Sequence, residues 1–148
     1  MSIVNKHLVG SVNELLKTLG TTVTTYSEMG LDHTNKAFHD QDANLIALDD
    51  ASLQDAVELV LHELIHMTAP KVNRFVDDSD KARQTEEVTA QIGMLKLTLV
   101  LGLNPAHYAT VTLDYVKDLS KANFKKAEMD SDRAVDYLVK QMELGKVA

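Results

Sequence analysis

Two histidines and a glutamate, in the run His62-Glu63-Leu64-Ile65-His66, are the residues whose types and spacing could do chemistry together. The stretch around them, Ala56 to Thr68, reads as one helix. Apolar residues at Leu53, Val57, Val60, Leu61, Leu64 and Ile65 recur at helical spacing, and no Gly or Pro interrupts them. Residues four apart on a helix lie one turn apart on the same face, so both imidazoles can reach one ion. Zinc takes neutral nitrogen or anionic ligands in a tetrahedron, and a site that performs chemistry keeps one position open for water. The metal lowers the pKa of that water from 15.7 to about 7, and a nearby carboxylate can then take its proton. Glu63 lies beside the ligand face and is the candidate general base. His-Glu-x-x-His is the spacing of a metallopeptidase helix. A helix this apolar is expected to be buried, and burying two His and a Glu without partners costs roughly 1–3 kcal/mol per unsatisfied group. A helix of purely structural purpose rarely accepts that.

A site with two histidines needs a third protein ligand, and a Glu on a neighbouring helix can supply it. A second long helix is expected from about Asp80 to Leu101, with Val88, Ile92, Leu95 and Leu99 on one side. It carries Glu86 and Glu87 just before the segment turns apolar. The spacing from His66 leaves room for a loop and an antiparallel return, and Ala90 would let the two helices approach closely. At this point either glutamate could be the ligand and the other a solvated helix residue.

The rest of the chain must position these residues. Its 148 residues suggest a single domain, and 45% hydrophobic with 25% charged residues is the composition of a globular protein. A net charge of −7 disfavours a broad electrostatic grip on nucleic acid. There is no cysteine, which removes thiolate zinc sites and cysteine nucleophiles and fits a cytoplasmic location. The N-terminal residues carry no signal-peptide pattern, and no apolar run approaches the ~18 residues of a membrane span.

Residues 2 to 19 read as an amphipathic helix closed by Gly20, and Thr21 to Tyr26 as a short strand. Lys36–His39 and Asn44–Leu48 read as a hairpin whose edge could take an extended peptide. His33 and His39 read as surface residues. Asp49 to Ser52 starts the central helix and Ala69-Pro70 closes it. Arg74 and the run Asp77-Asp78-Ser79-Asp80 read as solvated loop charges. Asn104 caps a helix over residues 105 to about 119, with Pro105 at its first position. Phe124 and Ala127 belong to a short helix, and Asp130 or Ser131 marks the start of the last one. The fold class is therefore α+β, mostly helical, with a small antiparallel sheet near the N-terminus.

These residues also carry a family resemblance. Leu61-His62-Glu63-Leu64-Ile65-His66-Met67-Thr68, then Arg74, then Glu86-Glu87-Val88-Thr89-Ala90-Gln91-Ile92-Gly93, resembles the zincin-like metallopeptidase domain of antirestriction proteins of the ArdC type. Leu101-Gly102-Leu103, Ala106-His107-Tyr108 and a helical tail with Ala134 and Tyr137 are similar to that domain's ending. The likeness covers roughly residues 35 to 142. It implies an origin on a phage or plasmid, Zn2+ held by His62, His66 and Glu87, and Gln91 supporting His62. Helical phase agrees on Glu87, because Glu86 would come one position too early for Ala90 to pack where the family has its small residue. Departures stand at Met67, at Ala69-Pro70 and at Gln91, where the family has an aromatic, Gly-His and often an acid. A neutral amide raises the basicity of His62 less than a carboxylate would. Only about 35 residues precede the matching region, so the family's DNA-binding domain is not expected here.

The expected function is zinc-dependent hydrolysis of peptide bonds in a protein or peptide substrate; an additional electrophile for the oxyanion is expected in such a site and His107 or Tyr108 could serve, although helix packing is the favoured role for each. The alternative is a metal-stabilised, antirestriction-like module that binds a protein without catalysis.

Overall fold

The chain begins its architecture at Gly10, where the first α-helix starts after a 3-10 turn over Val4–His7. This computed structural model describes residues 3–32 and 34–147, with the side chain of residue 147 left out. Helix α1, Gly10–Leu19, buries Val12, Leu15 and Leu16 and ends at Gly20. Gly20 adopts φ 67°, and its amide donates back to the carbonyls of Leu16 and Lys17. Only a residue without a Cβ takes that conformation freely. The single helix expected over residues 2–19 is thus broken at Leu8 and Val9, which are extended at the junction.

Three short strands follow: β1, Thr22–Thr25; β2, Ala37–Asp40; and β3, Leu45–Leu48. A one-turn helix, α2 (Tyr26–Met29), lies between β1 and β2. The β2–β3 hairpin is antiparallel, with Phe38 opposite Ala47 and His39 opposite Ile46. The sheet as a whole is mixed rather than antiparallel, because β1 pairs with β3 in parallel, Val23 opposite Ile46. The order β1-β3-β2 puts β3 in the middle, which is why Ile46, Ala47 and Leu48 are all buried.

Helix α3, Ala56–Met67, is entered through a 3-10 segment over Asp50–Asp55 whose start is capped by the Asp49 carboxylate, which accepts from the Ala51 amide. Helix α4, Asp80–Val100, is capped by Ser79, and α5, Pro105–Val116, by Asn104. Helix α6 runs unbroken over Phe124–Val147. The expected division of this last segment at Asp130 or Ser131 does not occur. Both residues are buried inside the helix. Asp130 pairs with Lys126, and the Ser131 hydroxyl accepts from Lys96 on α4 at 2.8 Å.

Helix α4 is the hub and packs against α3, α5 and α6. Its contact with α3 is made close at Gly93, where a Cβ would lie 2.8 Å from Ile65 side-chain carbons. One hydrophobic cluster joins α1, the sheet, α3, α4 and α6. Among the described residues, no helix is long and apolar enough to cross a membrane.

Candidate metal centre

The buried faces of α3 and α4 meet at His62 and His66. Both side chains are about nine-tenths buried, at 11% exposure each. Their Nε2 atoms lie 3.1 Å apart. The Glu87 carboxylate from α4 spans the pair, with Oε2 3.2 Å from His62 Nε2 and Oε1 3.1 Å from His66 Nε2.

The other ring nitrogens are engaged on the far side. His62 Nδ1 lies 2.8 Å from Oε1 of Gln91, whose amide nitrogen donates to Thr112 Oγ1 at 3.3 Å. His66 Nδ1 lies 2.7 Å from Glu86 Oε2. Amide and carboxylate oxygens only accept, so both Nδ1 atoms carry the proton and donate. In neutral rings the two Nε2 atoms then hold lone pairs, and these point at each other and at a carboxylate. Such a cluster of donors requires a cation, either a proton or a metal.

The donor set fits zinc. Two ligands at roughly 2.0–2.1 Å in a tetrahedral shell stand about 3.3 Å apart, close to the 3.1 Å between the ring nitrogens. Without metal, the cation is a proton on His66. Burial opposes that charge, but the hydrogen bonds to Glu86 and Glu87 outweigh it and push the pKa up to about 10. Burial likewise works to raise Glu87, yet the bonds from His62 and His66 hold its carboxyl well below the usual range. The Tyr115 hydroxyl from α5 donates to Glu87 Oε2 at 2.5 Å. Burial and the Glu87 charge push that phenol far above its ordinary value, so it remains a neutral donor.

Glu63 completes a group with His62 and His66 in which one potential ligand atom from each lies within 4.8 Å of the others. Glu87 sits closer to both rings than that limit requires, and Glu63 is held elsewhere. Its Oε1 accepts from His39 Nδ1 at 3.0 Å. Burial works to raise the Glu63 carboxyl, but this bond and the neighbouring imidazoles lower it, so the group is ionised. Glu63 is thus a carboxylate at the edge of the ligand cluster, facing a cavity of about 900 Å³ lined also by Phe38, His39 and Tyr115.

The structure brings together His62, Glu63, His66, Glu87 and Gln91. It adds to the sequence reading at Glu86, His107 and Tyr108, and departs from it at His39 and Arg74. Glu86, whose role was open, is the partner of His66. His39 is half-buried rather than simply solvated, with 29% of its side chain exposed: β2 aims it at Glu63, and its ring stacks on His66 with centroids 5.9 Å apart. The usable signal was strand alternation, since His39 shares a face with Ala37. Arg74 is not a solvated loop charge but is 6% exposed and pairs with Glu86. His107 and Tyr108 do not line the cavity. His107 is 65% exposed near Glu58, and the two rings pack on each other with centroids 5.1 Å apart. Tyr115, from the same helix, lines the cavity instead. His33 lies outside the described residues.

Comparison with protein-family models, curated proteins and solved structures returns no match to this chain.

Proposed function

We propose that this protein is a zinc-dependent metallopeptidase, with His62, His66 and Glu87 as the ligands. The observation that carries the reading is the pairing of two facing imidazole lone pairs with an ionised, cavity-lining carboxylate on the next residue, Glu63. Zinc, when bound, would polarise the scissile carbonyl and acidify the attacking water. Glu63 takes the proton released by that water and delivers it to the leaving amine. His39 keeps Glu63 ionised and fixed in direction. Tyr115, a neutral phenol lining the cavity, would donate to a developing oxyanion by turning its one proton away from Glu87.

An edge strand borders the cavity. β2 pairs with β3 on one side only, and Ala37, Phe38 and His39 line the cleft. An extended peptide would add to this edge through main-chain hydrogen bonds. The resemblance to antirestriction zincin-like domains supports the same reading and gives it a context, a counter-defence role on a phage or plasmid.

The test is Glu63→Gln in zinc-loaded protein. Metal content should be unchanged, and peptide hydrolysis should fall by ~10²-fold or more if Glu63 is the general base. Biological activity that persists in this variant would leave a metal-stabilised binding module as the better reading.

A further inference from the structure

Arg74 lies outside the ligand set, in the connection between α3 and α4, yet all three nitrogens of its guanidinium donate around one ligand. Nε donates to Glu86 Oε1 at 2.7 Å and Nη2 to Glu86 Oε2 at 3.1 Å. Nη2 also donates to the Ile65 carbonyl at 2.8 Å, and Nη1 to Thr68 Oγ1 at 3.1 Å. The side chain is 2% exposed and its carboxylate partner 11%. The same Glu86 Oε2 accepts from His66 Nδ1 at 2.7 Å.

Two consequences follow from the chemistry of the fork. A guanidinium is planar and permanently charged, so it fixes both oxygens of a carboxylate at once, which an ammonium cannot do. Glu86 therefore cannot turn, and its Oε2 is held where the His66 Nδ1–H must meet it. The second consequence concerns the backbone. Arg74 also grips the carbonyl of Ile65, the residue immediately before His66. One side chain thus fixes both the helix end that carries the ligand and the carboxylate that aims its ring.

We propose that Arg74 is a positioning residue for the zinc site, acting through Glu86 to hold His66 Nε2 toward the metal. This rests on the zinc reading above. It makes the connection after α3 a determinant of metal affinity, although none of its residues is a ligand.

The test is a double-mutant cycle read by zinc affinity, using zinc alone in competition with a chromogenic chelator. Single variants are Arg74→Gln and Glu86→Gln, and folding of each is checked by circular dichroism. Loss of a partner behind a metal-ligating histidine weakens metal binding by roughly 10–100-fold, and Arg74→Gln is expected at about the lower end of that range. In the Glu86→Gln background the same change should add no more than about twofold, because the two residues act in one chain. If Arg74→Gln does not fold, Arg74→Lys takes its place in the cycle. Cobalt-loaded Arg74→Lys should show shifted visible bands at saturating metal, a change that a purely structural role would not produce. An equal loss in both backgrounds would overturn the proposal. So would zinc binding by Arg74→Gln as tight as that of the unaltered protein. Those two results leave the zinc reading standing, whereas failure of the unaltered protein to bind zinc removes both.

Discussion

His62 and His66 bring their Nε2 atoms to 3.1 Å while each Nδ1 donates to a separate oxygen on α4, Gln91 Oε1 for one and Glu86 Oε2 for the other. The arrangement fixes the tautomer of both rings. It also places two lone pairs against the Glu87 carboxylate, where only a cation relieves their repulsion.

That cation should be exchangeable, and pH should reveal it. His66 is held at a pKa of about 10 in the folded, metal-free protein, against 6.5 for a histidine in an unfolded chain. The proton therefore stabilises the apo fold fully below pH about 6.5 and is lost as pH rises through about 10. Thermal unfolding of apo protein should show a falling Tm across that window, whereas zinc-loaded protein, which needs no proton on His66, should not. Zinc must displace the same proton, so its affinity should rise by about tenfold per pH unit over the same range. An apo Tm independent of pH there would contradict the assignment.

On the proposed reading, His39 serves hydrolysis by holding Glu63 and does not hold the metal. His39→Ala should retain full zinc content, since its hydrogen bond is to Glu63 and it meets His66 only by ring stacking, not at a ring nitrogen. Hydrolysis should fall by about 10-fold, part of the ~10²-fold or more that loss of the base itself costs. Loss of zinc in this variant would show that His39 belongs to the metal shell.

The separation of α3 and α4 sets the distance between the histidines and Glu87. Gly93→Ala would put a Cβ 2.8 Å from Ile65 Cδ1 and Cγ1 and 3.0 Å from its Cγ2. Overpacking of a tight core costs about 1–3 kcal/mol, against a helix-propensity gain of up to about 1 kcal/mol. The variant should be destabilised in urea, and its zinc affinity should weaken with it. A gain in stability would mean that the helices part easily and that their spacing does not hold the site.

The helix of His62 and His66, the long α4 and the cap at Asn104 were legible because each is local: a period, a spacing, a capping residue. The site's outer members were not. His39 reaches Glu63 only through pairing of β2 with β3, and Arg74 reaches Glu86 only after the chain turns back at Asn73, where φ is 56°. A polar residue in a loop carries no local sign that tertiary packing will bury it. Asp130 and Ser131 misled for the complementary reason. Their side chains suit a helix start, but here they serve pairings with Lys126 and Lys96 within and across helices. The parallel partner of β1 was equally hidden, since β2 intervenes in the chain before β3.

The most direct measurement is the metal content of untagged protein purified without chelator, beside the His62→Ala variant. The expected result is about one zinc per chain, lost in His62→Ala and accompanied by a lower Tm in the metal-free form, as ligand binding to the folded state requires. Absence of stoichiometric metal, with a Tm indifferent to chelator and to added zinc, would contradict the metal centre and with it the peptidase.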